Sequence, residues 1–384
     1  MQNDLQATIG TTAFAFRGYN LTNIGRTAEL LAHPKYGPTV LRHLHDAERV
    51  CTEVTLRPAD LVKRVEHGDE PGLRYYAEAI ALTMAVEYAQ MELLEKFYNI
   101  SLSEAQLAYG YSLGELAAVA CAGVVDRLDA MRVPLALAAD SAALADNVKM
   151  GVLFSRGPAI DEADVRRLCR QITAQGHGTI GVSSILSPNS YLLLGQEDTI
   201  SRFMAVMHDV LPMPAHVRIN PDRWPPMHTE IVRQRNIPDR ASVLMDRMPG
   251  GFVPPCPPVF SLVTGRRSYD DWHARDILRQ WTDQPQRLWD AVYETLAAGV
   301  TTVVHVGAEP DITPATFRRL SDNIEQQAAT RRFGKLQMRA AKGLARRPWL
   351  SAILPSRAAL LRAPSIRHVI LEDWLLEQGR ILRQ

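Results

Sequence analysis

The sequence feature that most constrains the fold is the run Gly-Tyr-Ser-Leu-Gly at residues 110–114, which lies between a strand-like and a helix-like segment. Gly110 and Gly114 lack a Cβ, so the chain can turn sharply from strand to helix and leave the Ser112 hydroxyl exposed at the head of the helix. The Leu113 amide then faces an oxyanion that forms there. The run therefore predicts a nucleophile elbow, with Ser112 as the catalytic nucleophile and Leu113 as an oxyanion donor.

The elbow and the helix after it resemble one known family. Residues 110–126 read GYSLGELAAVACAGVVD, and this segment is similar to the malonyl-CoA:acyl-carrier-protein transacylases and the related acyltransferase domains of polyketide synthases. The family segment usually begins Gly-His-Ser, and Tyr111 replaces the histidine here. The resemblance covers about residues 10–322. It implies an α/β fold, with an acyltransferase-type α/β-hydrolase-like core and an inserted ferredoxin-like subdomain.

The middle of the chain has the pattern of such an insertion. Strand-like and helix-like segments follow in the order strand, helix, strand, strand, helix, strand, which is the order of a ferredoxin-like unit. The predicted segments are 151–155, 161–172, 180–182, 191–194, 197–210 and 215–219. The predicted domains are a large α/β subdomain in two parts (1–148 and 221–325), a small subdomain (149–220), and a basic, helical C-terminal extension (326–384).

Composition fits a single enzyme of moderate size. The 384 residues are 46% hydrophobic, enough for a large core, and the net charge of +1 gives no general reason to expect nucleic-acid or membrane binding. The four cysteines form no C-x-x-C pair, so neither a zinc site nor a disulfide framework is indicated. The first residues contain no basic and apolar leader, and the most apolar helix-like run is too short to span a bilayer. We expect a cytoplasmic protein.

Two further segments resemble the parts of the family that hold and orient the catalytic base. Residues 224–232, WPPMHTEIV, are similar to the family's Phe-His-Ser-Pro-Leu-Met segment, which implies that His228 is the base. His216 is the nearest rival and lies in a predicted strand. Residues 278–289 resemble the family's Leu-x-x-Gln segment, which implies that the Gln280 backbone carbonyl orients the imidazole.

The oxyanion hole and the acyl pocket differ from the family pattern. The resemblance places the backbone amide of Tyr19, in the loop after a strand at 12–16, as the second oxyanion donor. In malonyl-selective members an arginine about 25 residues after the serine binds the malonyl carboxylate, and the ungapped count reaches Leu137. We expect Tyr111 and Leu137 in the acyl pocket. A different acyl group, an arginine relocated to Arg127 or Arg132, and a hydrolytic editing role are all open.

The implied reaction is acyl transfer through an acyl-serine. An acyl-CoA would load Ser112, and the phosphopantetheine thiol of an acyl carrier protein would accept the group, in fatty acid or polyketide biosynthesis. No metal or bound cofactor is required. Malonyl specificity is in doubt because of Leu137. Two other functions stay open: a thioester hydrolase that uses the same serine and histidine, and a non-catalytic scaffold that binds a carrier protein.

Two further segments are predicted to be helical. Residues 75–98 form a long helix, with Ile80, Met84, Met91 and Leu94 along one core-facing stripe. The extension at 326–384 carries many arginines and lysines and few acidic residues. It is interpreted either as a surface that attracts an acidic partner or as a helical extension packed on the body.

Overall fold

The computed structural model describes residues 4–156, 159–212, 214–309, 312–330 and 359–381. Within these ranges the strands are β1 Thr12–Phe16, β2 Leu107–Gly110, β3 Val148–Ser155, β4 Ile180–Ser187, β5 Ser190–Gln196, β6 Ala215–Asn220, β7 Val259–Phe260, β8 Thr302–Val306 and β9 Arg367–Ile370. The α-helices are α1 Asp4–Ala7, α2 Thr27–Leu31, α3 Gly37–Thr55, α4 Leu61–His67, α5 Tyr76–Tyr98, α6 Leu113–Cys121, α7 Arg127–Leu144, α8 Glu162–Thr173, α9 Thr199–Val210, α10 Ile237–Arg247, α11 Ala274–Gln280, α12 Leu288–Ala297, α13 Ile312–Thr330 and α14 Leu371–Ile381.

The main sheet has five parallel strands in the order β7-β2-β1-β8-β9. The central strand β1 is buried along its whole length, as is typical of a parallel sheet covered by helices on both faces. It pairs with β2 in a register that aligns Phe16 with Gly110. The carboxyl ends of β1 and β2 therefore meet at one edge of the sheet, where open α/β sheets bind their ligands.

A second sheet forms the small subdomain. Its four antiparallel strands have the order β4-β5-β3-β6, and α8 and α9 pack against it over a separate hydrophobic core. This is the ferredoxin-like arrangement, and it confirms the strand and helix order that the sequence predicts for this region. The unit lies between Ser112 and His228 in the chain, so the two parts of the large subdomain must come together around it.

Helix α5 is buried more completely than the sequence predicts. The helix begins at Tyr76 and ends at Tyr98, close to the predicted 75–98. The predicted core-facing residues Ile80, Met84, Met91 and Leu94 are all buried, and burial extends to every residue from Ala79 to Met91. The reason is that α3, α6, α7 and α14 contact this helix from several sides, so no face of its middle is left to solvent.

Residues 359–381 pack on the body, which agrees with one of the two interpretations of the extension, but they are not helical throughout because they also add a strand to the main sheet. Strand β9 pairs in parallel with β8 and is followed by α14, which packs on α5, α2 and β8. Arg362, one of the arginines of the basic segment, is only 3% exposed. Its guanidinium donates to the carbonyls of Leu296 at 2.5 Å and Val300 at 2.9 Å. The remainder of the basic segment, 331–358, lies outside the described residues.

We expect Arg362→Met to lower the free energy of unfolding by about 2–4 kcal/mol, because the buried carbonyls of Leu296 and Val300 lose their donors. Urea denaturation measures this loss. Arg380→Met, an exposed position near the end of α14, is the matched control and should change stability by less than about 0.5 kcal/mol. Equal losses in the two variants would contradict a structural role for the buried arginine.

Candidate active site

The turn at residues 110–114 is built by close backbone contacts that glycine alone permits. A Cβ on Gly110 would lie 2.0 Å from the Gly114 carbonyl, and one on Gly114 would lie 2.4 Å from the carbonyl oxygens of Phe16 and Arg17. Ser112 itself has φ 54° and ψ −116°, a left-handed conformation that is strained for a residue with a side chain. The structure thus forms the predicted elbow, with Ser112 immediately before α6.

Ser112 and His228 come together across the molecule. Ser112 Oγ lies 2.7 Å from His228 Nε2, although 116 positions separate the two residues in the chain. His228 Nδ1 lies 2.7 Å from the backbone carbonyl oxygen of Trp281, which can only accept. The proton of the neutral ring therefore belongs on Nδ1, and the free lone pair of Nε2 faces the serine hydroxyl. This is the geometry in which an imidazole can take the serine proton.

The orienting carbonyl is that of Trp281, which corrects the prediction of Gln280. Gln280 is the last residue of α11, and its carbonyl accepts from the backbone N–H of Gln284 at 3.0 Å in the turn that follows. The carbonyl that accepts from His228 Nδ1 is therefore that of Trp281, the residue after the helix. Trp281 also donates from its indole Nε1 to the Ser112 carbonyl at 2.8 Å, so it contacts both members of the pair.

Burial sets the charge state of the histidine. His228 is 4% exposed, and burial lowers its pKa to about 4, while the Trp281 carbonyl acts in the opposite direction by stabilising the protonated ring. The imidazole is consequently neutral at neutral pH and available as a proton acceptor. His216, the rival candidate, lies on β6 with its ring near Phe154, at a centroid distance of 5.7 Å, and has no contact with Ser112 in the structure.

Two backbone N–H groups near Ser112 are candidates for an oxyanion hole. Leu113 is the first residue of α6, so its N–H lies at the positive end of the helix dipole. Tyr19 follows Gly18, whose position is so close to the elbow that a Cβ there would lie 3.3 Å from Ser112 Cβ. No hydrogen bond from either N–H is found in the part of the chain that the structure describes. The role of Leu113 and Tyr19 as donors stays a prediction.

A small, mostly apolar cavity adjoins Ser112. Its volume is about 10 Å³, and it is lined by Tyr76, Ile80, Ser112, Leu113, Pro134, Leu137, Ser141, Met227 and Trp281. Leu137 and Ser112 therefore line the same cavity, in agreement with the count from Ser112. Tyr111 does not line the cavity, contrary to the prediction. Its N–H continues the sheet pairing to the Phe16 carbonyl, and a Cβ on Gly18 would touch its ring at 3.2 Å.

Neither nearby arginine has moved into this cavity. The Arg132 guanidinium is paired with Glu53 at 2.7 Å and Asp129 at 3.6 Å. The Arg127 guanidinium lies over the Tyr88 ring, 5.6 Å from its centroid. The described lining of the cavity includes no lysine or arginine.

Sequence reasoning missed one residue of the site, Gln286. Its side chain is fully buried and contacts both the Ser112 backbone N–H and the His228 ring. No residue pattern marks it, because Gln284 and Gln286 flank the same proline and only the folded chain distinguishes them. Glu115, in the first turn of α6, is also fully buried. It accepts from the Tyr269 hydroxyl and the Leu262 N–H, and burial raises its pKa to about 7.

A larger cleft lies elsewhere. It has a volume of about 930 Å³ between the small sheet and helices α12 and α13, with Arg218, Asn220, Trp289 and Arg319 among its lining residues. Neither Ser112 nor His228 lines it. Within the described ranges, no group of three or more His, Cys, Asp or Glu side chains is arranged to hold a metal ion. None of the helices found there is long and apolar enough to cross a membrane.

The fold is that of known acyltransferases. No family model and no curated protein sequence matches the chain. FabD from Acinetobacter baumannii superposes with a TM-score of 0.67 and 17% identity, covering 97% of this chain and 99% of that one. An acyl carrier protein S-malonyltransferase from Vibrio cholerae gives 0.64 and 20%, covering 80% and 93%. A malonyl-transacylase solved with its type II polyketide synthase acyl-carrier protein gives 0.62 and 21%, covering 80% and 92%. The predicted acyltransferase-type fold is confirmed.

We expect the His228 ring to stay neutral, with its proton on Nδ1, as the pH falls from 7 to about 5, and to gain a second proton only near pH 4. Side-chain ¹⁵N NMR of the histidines measures both the tautomer and the titration. His273 is the internal control. Its ring is exposed and hydrogen-bonded to Asp270, which raises its pKa, so it should be protonated at a higher pH than a free histidine. A protonated His228 at pH 6 would contradict the assignment.

Proposed function

We propose that this protein is an acyl-CoA:acyl-carrier-protein S-acyltransferase that works through an acyl-serine on Ser112. The observation that carries the proposal is the 2.7 Å contact between Ser112 Oγ and His228 Nε2 at the head of α6. The fold shared with acyl carrier protein S-malonyltransferases supports it. An intact serine and histidine in bonding geometry also disfavours a non-catalytic scaffold, because that role does not need them.

The first half-reaction loads the serine. Ser112 Oγ attacks the thioester carbonyl carbon while His228 Nε2 takes the hydroxyl proton. The resulting oxyanion accepts from the N–H groups of Leu113 and Tyr19. When the intermediate collapses, the carbon–sulfur bond breaks, and the proton on His228 passes to the departing CoA sulfur.

The second half-reaction runs in reverse with a new thiol. The phosphopantetheine thiol of a carrier protein gives its proton to His228 and attacks the acyl-serine carbonyl, and Ser112 regains a proton as the ester breaks. A thioester is already activated, so residues of this chain suffice for every step. One of the similar structures is a complex with an acyl-carrier protein, which supports this choice of acceptor. We place the reaction in fatty acid or polyketide biosynthesis in the cytoplasm.

We further propose that the acyl group is neutral. Leu137 lies where a carboxylate-binding arginine would be needed, and Arg127 and Arg132 are engaged elsewhere. A malonyl carboxylate in this apolar cavity would lose its hydration without gaining a cation, at a cost of several kcal/mol. Acetyl is the simplest neutral acyl group, and beside the apolar side chains of Leu137 and Met227 it would leave no charge unpaired.

We expect intact-mass spectrometry to detect one acyl adduct after incubation with acetyl-CoA, and none in Ser112→Ala. His228→Ala should load about 10²–10⁴-fold more slowly, because the proton acceptor is gone. His216→Ala, a histidine remote from the serine, is the matched control and should load normally. Adducts that persist in Ser112→Ala would overturn the assignment of the nucleophile. Rapid loss of the adduct to water even with carrier protein present would favour a thioester hydrolase.

We expect Leu137→Arg to shift the ratio of loading rates from acetyl-CoA toward malonyl-CoA by about 1.5–3 kcal/mol, the scale of one hydrogen bond to a charged group. Competition between the two donors, read by mass, measures the ratio. Leu137→Met keeps the size and neutrality of the side chain, so it should retain the preference for acetyl. Strong malonyl preference in the unmodified enzyme that disappears on removing Arg127 or Arg132 would show that one of these arginines binds the carboxylate.

A further inference from the structure

Gln286 contacts both groups of the proposed reaction from a fully buried position. Its Oε1 accepts from the backbone N–H of Ser112 at 3.1 Å, and its Nε2 lies 3.4 Å from His228 Nδ1. The Ser112 N–H can only donate, so the amide oxygen must face it, and the amide nitrogen must face the histidine. The orientation of the side chain is therefore determined by the elbow.

The nitrogen side of this amide has a specific electrostatic effect. His228 Nδ1 already bears a hydrogen that it donates to the Trp281 carbonyl at 2.7 Å. The N–H groups of Gln286 thus face a ring N–H, and the contact is one of like partial charges rather than a hydrogen bond. It opposes further positive charge on the imidazole. This effect has the same sign as that of burial, which lowers the pKa of His228, and it opposes the effect of the Trp281 carbonyl.

The backbone of Gln286 is attached to the small subdomain. Its N–H donates to the Ser183 carbonyl at 2.9 Å, and its carbonyl accepts from the Ile185 N–H at 2.8 Å. The same carbonyl accepts from the Ser184 hydroxyl at 3.0 Å. All three partners belong to β4. Gln286 therefore joins a strand of the small sheet directly to the elbow of the main sheet.

We propose that Gln286 is a positioning residue: it holds the Ser112 peptide in its strained conformation and faces the His228 ring with an N–H group, so that the small subdomain, through β4, sets the geometry of the pair. The inference rests on the proposed function of Ser112 and His228. Without Gln286 the Ser112 N–H would lose its side-chain partner at a residue with φ 54°, and the hydroxyl would lose its fixed direction toward His228 Nε2.

Two substitutions separate the contributions of the oxygen and the nitrogen. Gln286→Met keeps the length of the side chain but removes both polar atoms. Gln286→Glu keeps an acceptor for the Ser112 N–H and replaces the amide nitrogen by a carboxylate oxygen beside His228. Gln196→Met is the matched control, because Gln196 is also a buried glutamine in a side-chain hydrogen-bond pair, with Gln234, but has no contact with Ser112 or His228 in the structure.

The probe is an alkyl fluorophosphonate, whose phosphorus is attacked by an activated serine oxygen with loss of fluoride. The rate of Ser112 labelling is followed by intact mass as a function of pH, together with the titration of His228 by ¹⁵N NMR. We expect Gln286→Met to label at least about 10-fold more slowly, while Gln196→Met labels normally. In Gln286→Glu we expect the acidic limb of the pH profile and the His228 titration to move up by about one pH unit or more.

The outcomes distinguish a failure of the proposed function from a failure of the proposed role of Gln286. If the unmodified protein does not label at Ser112, the proposed function fails. If it labels, and both Gln286 variants label with unchanged rate and pH profile, Gln286 has no positioning role. Should Gln286→Glu fail to fold, the labelling rate and histidine titration of Gln286→Met decide the question alone. A rate loss shared equally by Gln196→Met would indicate general destabilisation and would overturn the inference.

Discussion

The close approach of the Gly110 backbone to the Gly114 backbone is the constraint on which the rest of the site depends. With no Cβ at either position, α6 can begin directly against the carboxyl ends of β1 and β2, close to the Phe16 carbonyl. This approach places Ser112 in a left-handed conformation at the head of the helix. A side chain at either glycine would push the helix away from the sheet, and the serine would lose its position.

A strained residue persists only where its surroundings hold it. Here the restraint comes from one short segment, 281–286, far along the chain. Trp281 donates to the Ser112 carbonyl and Gln286 accepts from the Ser112 N–H, so both sides of the residue are held. The same segment orients His228 through the Trp281 carbonyl and the Thr282 carbonyl, which accepts from the His228 backbone N–H at 2.7 Å. The segment 281–286 therefore fixes the positions of both Ser112 and His228.

The packing around Ser112 is also the basis of the proposed preference for a neutral acyl group. Leu137 and Met227 line the cavity beside Ser112. The Ser141 hydroxyl, which also lines it, donates to the Leu137 carbonyl and contacts the Met227 sulfur, so it is already bonded within the protein. The described lining contains no lysine or arginine, so a carboxylate placed there would be desolvated without a cationic partner.

Local patterns in the sequence determined the elbow and the order of the ferredoxin-like unit, because glycine spacing and the alternation of strand-like and helix-like segments act over short stretches of chain. The placement of Leu137 came from the family resemblance, by counting from Ser112. Only the tertiary structure decided which carbonyl faces His228. Gln280 and Trp281 are adjacent in the chain. The Gln280 carbonyl accepts a hydrogen bond in the turn after α11, and the Trp281 carbonyl is the one that faces His228. The tertiary structure also revealed Gln286, whose side chain accepts from the Ser112 N–H although 174 positions separate the two residues in the chain. The low pKa of His228 and the strand at β9 likewise arise from burial and pairing with distant segments, which no local pattern contains.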